Sequence, residues 1–197
     1  LWLLAFITAM RASKNNTSSV LLKIVKTIGF VPLLGLAIAL PMLLPIFDLP
    51  ETTGEYALGT TDIYVQSDRE EVITDEADKK AFMIKAWYPT NELYGEIDSY
   101  VDKAGRNGFA TKYGLPTAVL NYLDKIETNV YKDVEIIDEQ FPVLIFSHGY
   151  HSKANGYYAL IKEIVSQGYV VFAINHTYES TGATFPNGKE AYFDFDY

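Results

Sequence analysis

The chain has 197 residues, 49% of them hydrophobic, with 25 acidic residues against 16 basic ones and a formal net charge of −9. Four of the 16 basic residues precede Asp48 and no acid does, so residues 48–197 hold 12 bases against 25 acids, a formal charge of −13. A body that acidic repels phosphate backbones and anionic bilayers, which argues against a nucleic-acid partner, and the absence of cysteine removes disulfides and thiolate metal sites.

Residues 1–10, LWLLAFITAM, are apolar but too short to span a bilayer, and read as the end of a truncated transmembrane helix. The sequence opens on Leu1 rather than Met and stops at Tyr197 in mid-pattern, so the chain is expected to be an N-terminal portion of a longer protein. Residues 11–27 carry Arg11, Lys14, Lys23 and Lys26 and read as a basic cytoplasmic loop. Residues 28–47, IGFVPLLGLAIALPMLLPIF, hold no charge. As a helix they reach roughly 30 Å, the thickness of a hydrocarbon core, and their prolines are tolerated in membrane spans. The apolar run is too long for a cleaved signal peptide, so a transmembrane helix is expected here. The positive-inside rule then places residues 48–197 on the extracytoplasmic side of a membrane.

In that body, TTDIYVQ (60–66) and AFMIKAWYP (81–89) have strand composition, the second stopped by Pro89. With only the charged connection 67–80 between them, antiparallel pairing at a sheet edge is expected. Residues 91–112 are polar and show no clear period. LPTAVLNYLDKI (115–126) places Leu115, Val119, Leu120, Leu123 and Ile126 at helical spacing, a stripe read as core, with Pro116 suited to a first turn.

The last third reads as strand, helix, strand. VLIFS (143–147) is a short apolar strand, a helix is expected over about 155–167 with Gly168 at its C-terminal end, and YVVFAI (169–174) is the next strand. Leu160, Ile161, Ile164 and Val165 give that helix one apolar face. This is a βαβ unit with a right-handed crossover, and its all-apolar strands call for helices on both faces of the sheet. The fold class is α/β, with parallel strands in the second half.

Chemistry in open α/β sheets collects beyond the carboxyl ends of the strands, where this sequence places Ser147, His148, Gly149 and Tyr150, and then Asn175 and His176. One reading is an ordinary turn. A metal site through His148 and His151 lacks a third ligand at convincing spacing. The third reading is an oxyanion hole, in which Gly149 lets the loop curl so that the Tyr150 amide points at a developing negative charge. Ser147 is a poor nucleophile candidate, because neighbouring residues on an extended chain face opposite ways.

FPVLIFSHGY (141–150), followed by a helix and then by SQGYVVFAINHTYESTGAT (166–184), resembles the plasma-type platelet-activating-factor acetylhydrolases and their bacterial relatives. LPETTGEYALGTTDIYV (49–65) and KAWYPTN (85–91) carry the likeness further back, over about 48–189 in all. The resemblance implies a membrane-anchored serine esterase on an α/β-hydrolase sheet, needing no metal or cofactor, acting on a small lipid ester or other carboxylic ester. By the same resemblance, Tyr150 matches a backbone oxyanion donor, His148 and Gly149 match loop-shaping residues, and His176 matches a structural histidine near the site. Asn175 departs from the family's acid there, and Thr177 and Tyr178 depart from its Arg-Asp pair. A hydrolase of this fold needs G-x-S-x-G, then an acid, then a histidine. No serine in the chain sits in that pattern, so the nucleophile and triad are expected outside these residues. A lipase or polyester hydrolase of the same fold, and a non-catalytic membrane protein retaining the scaffold, remain open readings.

Overall fold

Strand-forming residues and helix-forming ones alternate through the second part of the chain, and the computed structural model follows them closely. It describes residues 20–74 and 78–194, with side chains from Thr27 onward. The segment 1–10 and most of the basic loop lie outside those residues. Two compact units separate at Leu1–Pro45 and Ile46–Tyr197, close to the boundary expected at Asp48.

In the first unit, helix α1 spans Val20–Leu43 and takes in Pro32 and Pro41. It covers the end of the segment read as a basic loop, and it stops short of Phe47. Pro45 has no N–H to continue the ladder and disfavours helical backbone at Leu44, so the last bond runs from the Leu44 N–H to the Leu40 carbonyl at 2.9 Å. Among the described residues no helix is long and apolar enough to cross a membrane.

The second unit is built on a mixed five-stranded sheet. Strands β1 (Ala57–Glu70) and β2 (Lys79–Thr90) pair antiparallel as expected, with Ile63 opposite Ile84 and a bulge between Gln66 and Glu70. The charged connection is shorter than predicted because both strands run into it; residues 75–77 of it lie outside the description. Pro89 does not end β2, which continues to Thr90. The pair is not itself the sheet edge, because the three-residue β3 (Val130–Lys132) lies parallel along the start of β1. Strands β4 (Val143–Ser147) and β5 (Val170–Asn175) are parallel, Ser147 opposite Ile174, and the full order is β3-β1-β2-β5-β4. Two short strands, β6 (Ala183–Thr184) and β7 (Glu190–Ala191), form a separate pair.

The polar stretch 91–112 contains a helix that its sequence did not announce. Helix α2 (Lys103–Lys112) has no apolar stripe; it is started by the Asp102 carboxylate, which accepts the Gly105 N–H at 3.1 Å. Its buried residues are all small, Ala104, Gly105, Gly108 and Ala110, so it is held by close approach. A Cβ on Gly108 would lie 1.5 Å from the Thr181 carbonyl oxygen. The helix expected over 115–126 is a 3-10 segment, Thr117–Lys125, after an extended Pro116. Three residues per turn break the predicted α-stripe: Leu120 and Ile126 are buried while Leu115 is exposed.

The predicted helix after β4 divides into a 3-10 turn, Ala154–Tyr157, and helix α3, Tyr158–Ser166. Gly168 follows with φ +88°, the left-handed ending that glycine accommodates best. Ile161 and Val165 of the predicted face are fully buried, whereas Leu160 points out. α3 packs on β1, β2 and β5, and the core between them holds Leu58, Trp87, Tyr158, Val165 and Val171, with the Trp87 and Tyr158 rings 5.0 Å apart. The apolar strand β4, however, is not covered on both faces. It is the terminal strand, and Val143, Leu144 and Ile145 are 57%, 40% and 75% exposed.

Candidate active site

The parallel register of β4 and β5 sets Ser147 beside Ile174, so both strands end on the same edge and bring Ser147–His148 next to Asn175–His176. Sequence reasoning placed these four residues together, but it did not find the bond between them. Ser147 Oγ lies 2.7 Å from His176 Nε2, across 29 residues of chain. The His148 ring stands nearly perpendicular to that of His176, centroids 5.2 Å apart.

His148 is buried. Its Nδ1–H donates to the Gly149 carbonyl at 2.9 Å, which leaves Nε2 as an acceptor with no partner among the described residues. Burial pulls its pKa below the usual histidine range, outweighing the bond to Gly149, so the ring is neutral near pH 7.

The following residues form a tight turn, closed by the Ser152 N–H on the Gly149 carbonyl at 3.1 Å. The left-handed residue in it is His151, with φ +59°, and not Gly149. A Cβ at 149 would meet only the Tyr157 hydroxyl at 3.9 Å, so what Gly149 supplies is open space above the turn. The turn is tethered on the far side: the His151 N–H donates to the Glu179 carbonyl at 2.9 Å, and the Thr181 N–H to the Ser152 carbonyl at 3.1 Å. The Tyr150 N–H, between these anchors, donates to no group among the described residues. Its side chain is 68% exposed, with the ring 5.2 Å from Phe193.

At the end of β5, the Glu179 and Ser180 N–H groups both donate to the His176 carbonyl, which fixes the loop that tethers the turn. The Asn175 amide nitrogen donates to the Gly182 carbonyl at 3.2 Å, and Thr177 Oγ1 donates to the Ala81 carbonyl at 2.5 Å. Both bonds tie loop to sheet.

A second polar cluster is buried between β2 and α3. Asp98, 3% exposed, accepts from Lys85 Nζ at 3.1 Å and from the Tyr158 hydroxyl at 3.0 Å. Burial, reinforced by Asp98, pushes the Tyr158 phenol far above its usual range, so the tyrosine is a permanent donor. No sequence signal singled out Asp98, because its partners come from β2 and α3. Among the described residues, no group of three or more metal-ligating side chains converges.

The turn is thus held on its far side, while the Tyr150 N–H, like that of Gly149, meets no partner among the described residues. The fold is similar to that of a ferulic acid esterase from Streptomyces cinnamoneus, which superposes with a TM-score of 0.61 at 21% identity, covering 75% of this chain and 41% of the other. The chain belongs to the family described as platelet-activating factor acetylhydrolase, isoform II, which it matches over residues 45–192. It is 25% identical over 142 residues to the platelet-activating factor acetylhydrolase of Cavia porcellus, covering 70% of this chain and 30% of the relative. The same enzyme of Gallus gallus is 26% identical over 155 residues, covering 74% and 34%. The chain thus spans about a third of the length of these curated relatives.

Proposed function

We propose that the protein is a carboxylic-ester hydrolase in which these residues supply one flank of the sheet and half of the oxyanion hole. The observation that carries the reading is the Tyr150 amide, without a partner among the described residues, just beyond the carboxyl end of β4 on a tethered turn. The serine, acid and base of the triad come, in this reading, from sequence outside the 197 residues, which contain no G-x-S-x-G. The outer edge of β4 supports it, since exposed Val143 and Ile145 suit a strand flanked by further structure. The substrate class we propose is a small lipid ester of the platelet-activating-factor type, as in the curated relatives, with other carboxylic esters as the wider group.

Membrane attachment, with the hydrolase body on the extracytoplasmic side, belongs to the same proposal. It is supported by the uncharged run 28–47 and by the strongly exposed Leu33, Ile38, Met42 and Leu43 of α1. The test is to express the complete reading frame, fractionate membranes, and assay acetyl-ester hydrolysis. Hydrolysis in the membrane fraction, abolished when a G-x-S-x-G serine is changed to alanine, is the expected result. A frame without that motif, or a protein inert toward all esters, would leave a scaffold retained for binding.

A further inference from the structure

A cavity of about 320 Å³ opens between α2, the 3-10 segment Thr117–Lys125 and the loop that follows the turn, where His151 and Ser152 form part of its wall. Small-molecule sites begin at roughly this size, about 300 Å³. The wall is aromatic, built from Tyr100, Phe109, Tyr113 and Tyr122. Phe109 and Tyr113 pack with ring centroids 4.7 Å apart, and both are substantially exposed.

The charge of the lining is the unusual part. The body carries 25 acids against 12 bases, yet the charged residues of this cavity are Arg106, Lys112 and Lys153, with no carboxylate among them. Lys153 is committed, donating to Asp102 at 2.6 Å and to the Gly182 carbonyl at 2.8 Å. The other two have capacity left. Among the described residues Arg106 pairs with Asp124 through Nη1, and its buried Nε–H has no partner. A buried donor on a charged group left unmatched costs more than a neutral one, and a guanidinium that turns towards an arriving anion removes that cost. Lys112 is exposed and lies over the Tyr113 ring, 5.1 Å from the centroid, with no carboxylate paired to it among the described residues. Lys112 and His151 line the same cavity, and burial, with the Lys112 ammonium, holds the His151 imidazole below its usual pKa.

We propose that this cavity binds the anionic end of an amphiphilic ligand, a carboxylate or phosphate held by Arg106 and Lys112, with its apolar stem against the aromatic wall. That the ligand is part of an ester substrate seated beside the oxyanion turn rests on the hydrolase reading; the binding itself does not. The experiment titrates the full chain with n-octyl phosphate and with n-octanoate, using n-octyl glucoside as the uncharged control of equal chain length. Binding is read from amide spectra and from the Arg106 Nε–H resonance. Saturable binding of an anion that shifts this resonance is expected, weakened about tenfold or more in R106Q. Exposed Lys112 gives a second variant that is safe for folding, and K112Q should weaken binding several-fold. D124N, which leaves Arg106 in place, should retain it. Preference for octyl phosphate would assign a phosphate-bearing ligand, and preference for octanoate a carboxylic one. Octyl glucoside binding as tightly as both anions, or affinity unchanged in R106Q and K112Q, overturns the proposal. Anion binding by an enzyme inert toward esters would instead sink the hydrolase reading and leave this site standing.

Discussion

Tyr150→Pro separates catalysis from stability at the turn. Proline removes the one N–H assigned to the oxyanion, and that N–H makes no bond within the described protein. Tyr150 occupies the second position of a turn closed between Gly149 and Ser152 with a left-handed third residue, a geometry in which proline is favoured at that second position. Glycine before it tolerates the restriction that proline imposes on its neighbour. The fold should therefore lose no hydrogen bond, and Tm should move by no more than a few degrees. The rate should fall by about 10²–10³, the cost of one oxyanion donor, or about 2.7–4 kcal/mol of transition-state stabilisation. Tyr150→Ala is the control: it keeps the amide and discards the ring that meets Phe193 at 5.2 Å. The assay is steady-state hydrolysis of p-nitrophenyl acetate by the product of the complete reading frame, with thermal unfolding in parallel. A proline variant within threefold of the parent kcat would refute the assignment of the donor, and a collapse of Tm would refute the turn geometry.

Three further predictions concern the framework. Asp98→Ala removes the 3.1 Å partner of Lys85, which keeps Asp62 at 3.5 Å, and one of the bonds of the buried Tyr158 hydroxyl, so urea unfolding should show a loss of about 1.5–3 kcal/mol. A Cβ at position 108 would overlap the Thr181 carbonyl at 1.5 Å, so Gly108→Ala should detach α2 from the β6 loop and raise amide exchange there well above that of α3. His148 is held below the ordinary histidine pKa by burial, so the unfolded chain takes up its proton first as pH falls. Its contribution to stability is complete above the unfolded pKa of about 6.5 and is lost towards the lower folded value. The slope of Tm against pH in that window should flatten in His148→Gln, and an unchanged slope would remove His148 as its source.

What the sequence disclosed depended on whether the determining contacts were local. The strands β1, β2, β4 and β5 were legible because their composition and bounding residues are local properties, and so was the Gly168 ending of α3. Helix α2 was hidden because small residues at close approach, not an apolar stripe, hold it. The exposure of β4 depends on its terminal place in the sheet order, which an apolar run does not reveal. At the site, the convergence of His148, Tyr150 and His176 followed from the rule for strand ends, but the Ser147–His176 bond and the Asp98 cluster join distant segments without a motif. The left-handed residue of the turn, His151, carries no glycine or asparagine signal, and the Glu179 and Thr181 tethers that hold it come from a distant loop.

The central claim is that the Tyr150 amide receives the oxyanion. The measurement that tests it most directly is a crystal structure of the complete protein after reaction with a small alkyl fluorophosphonate, which mimics the tetrahedral intermediate on the nucleophile. A phosphoryl oxygen is expected about 2.7–3.1 Å from the Tyr150 nitrogen, with the turn of residues 149–152 unmoved. An adduct whose oxygens are all held by other donors, or a protein that forms no adduct, would contradict it.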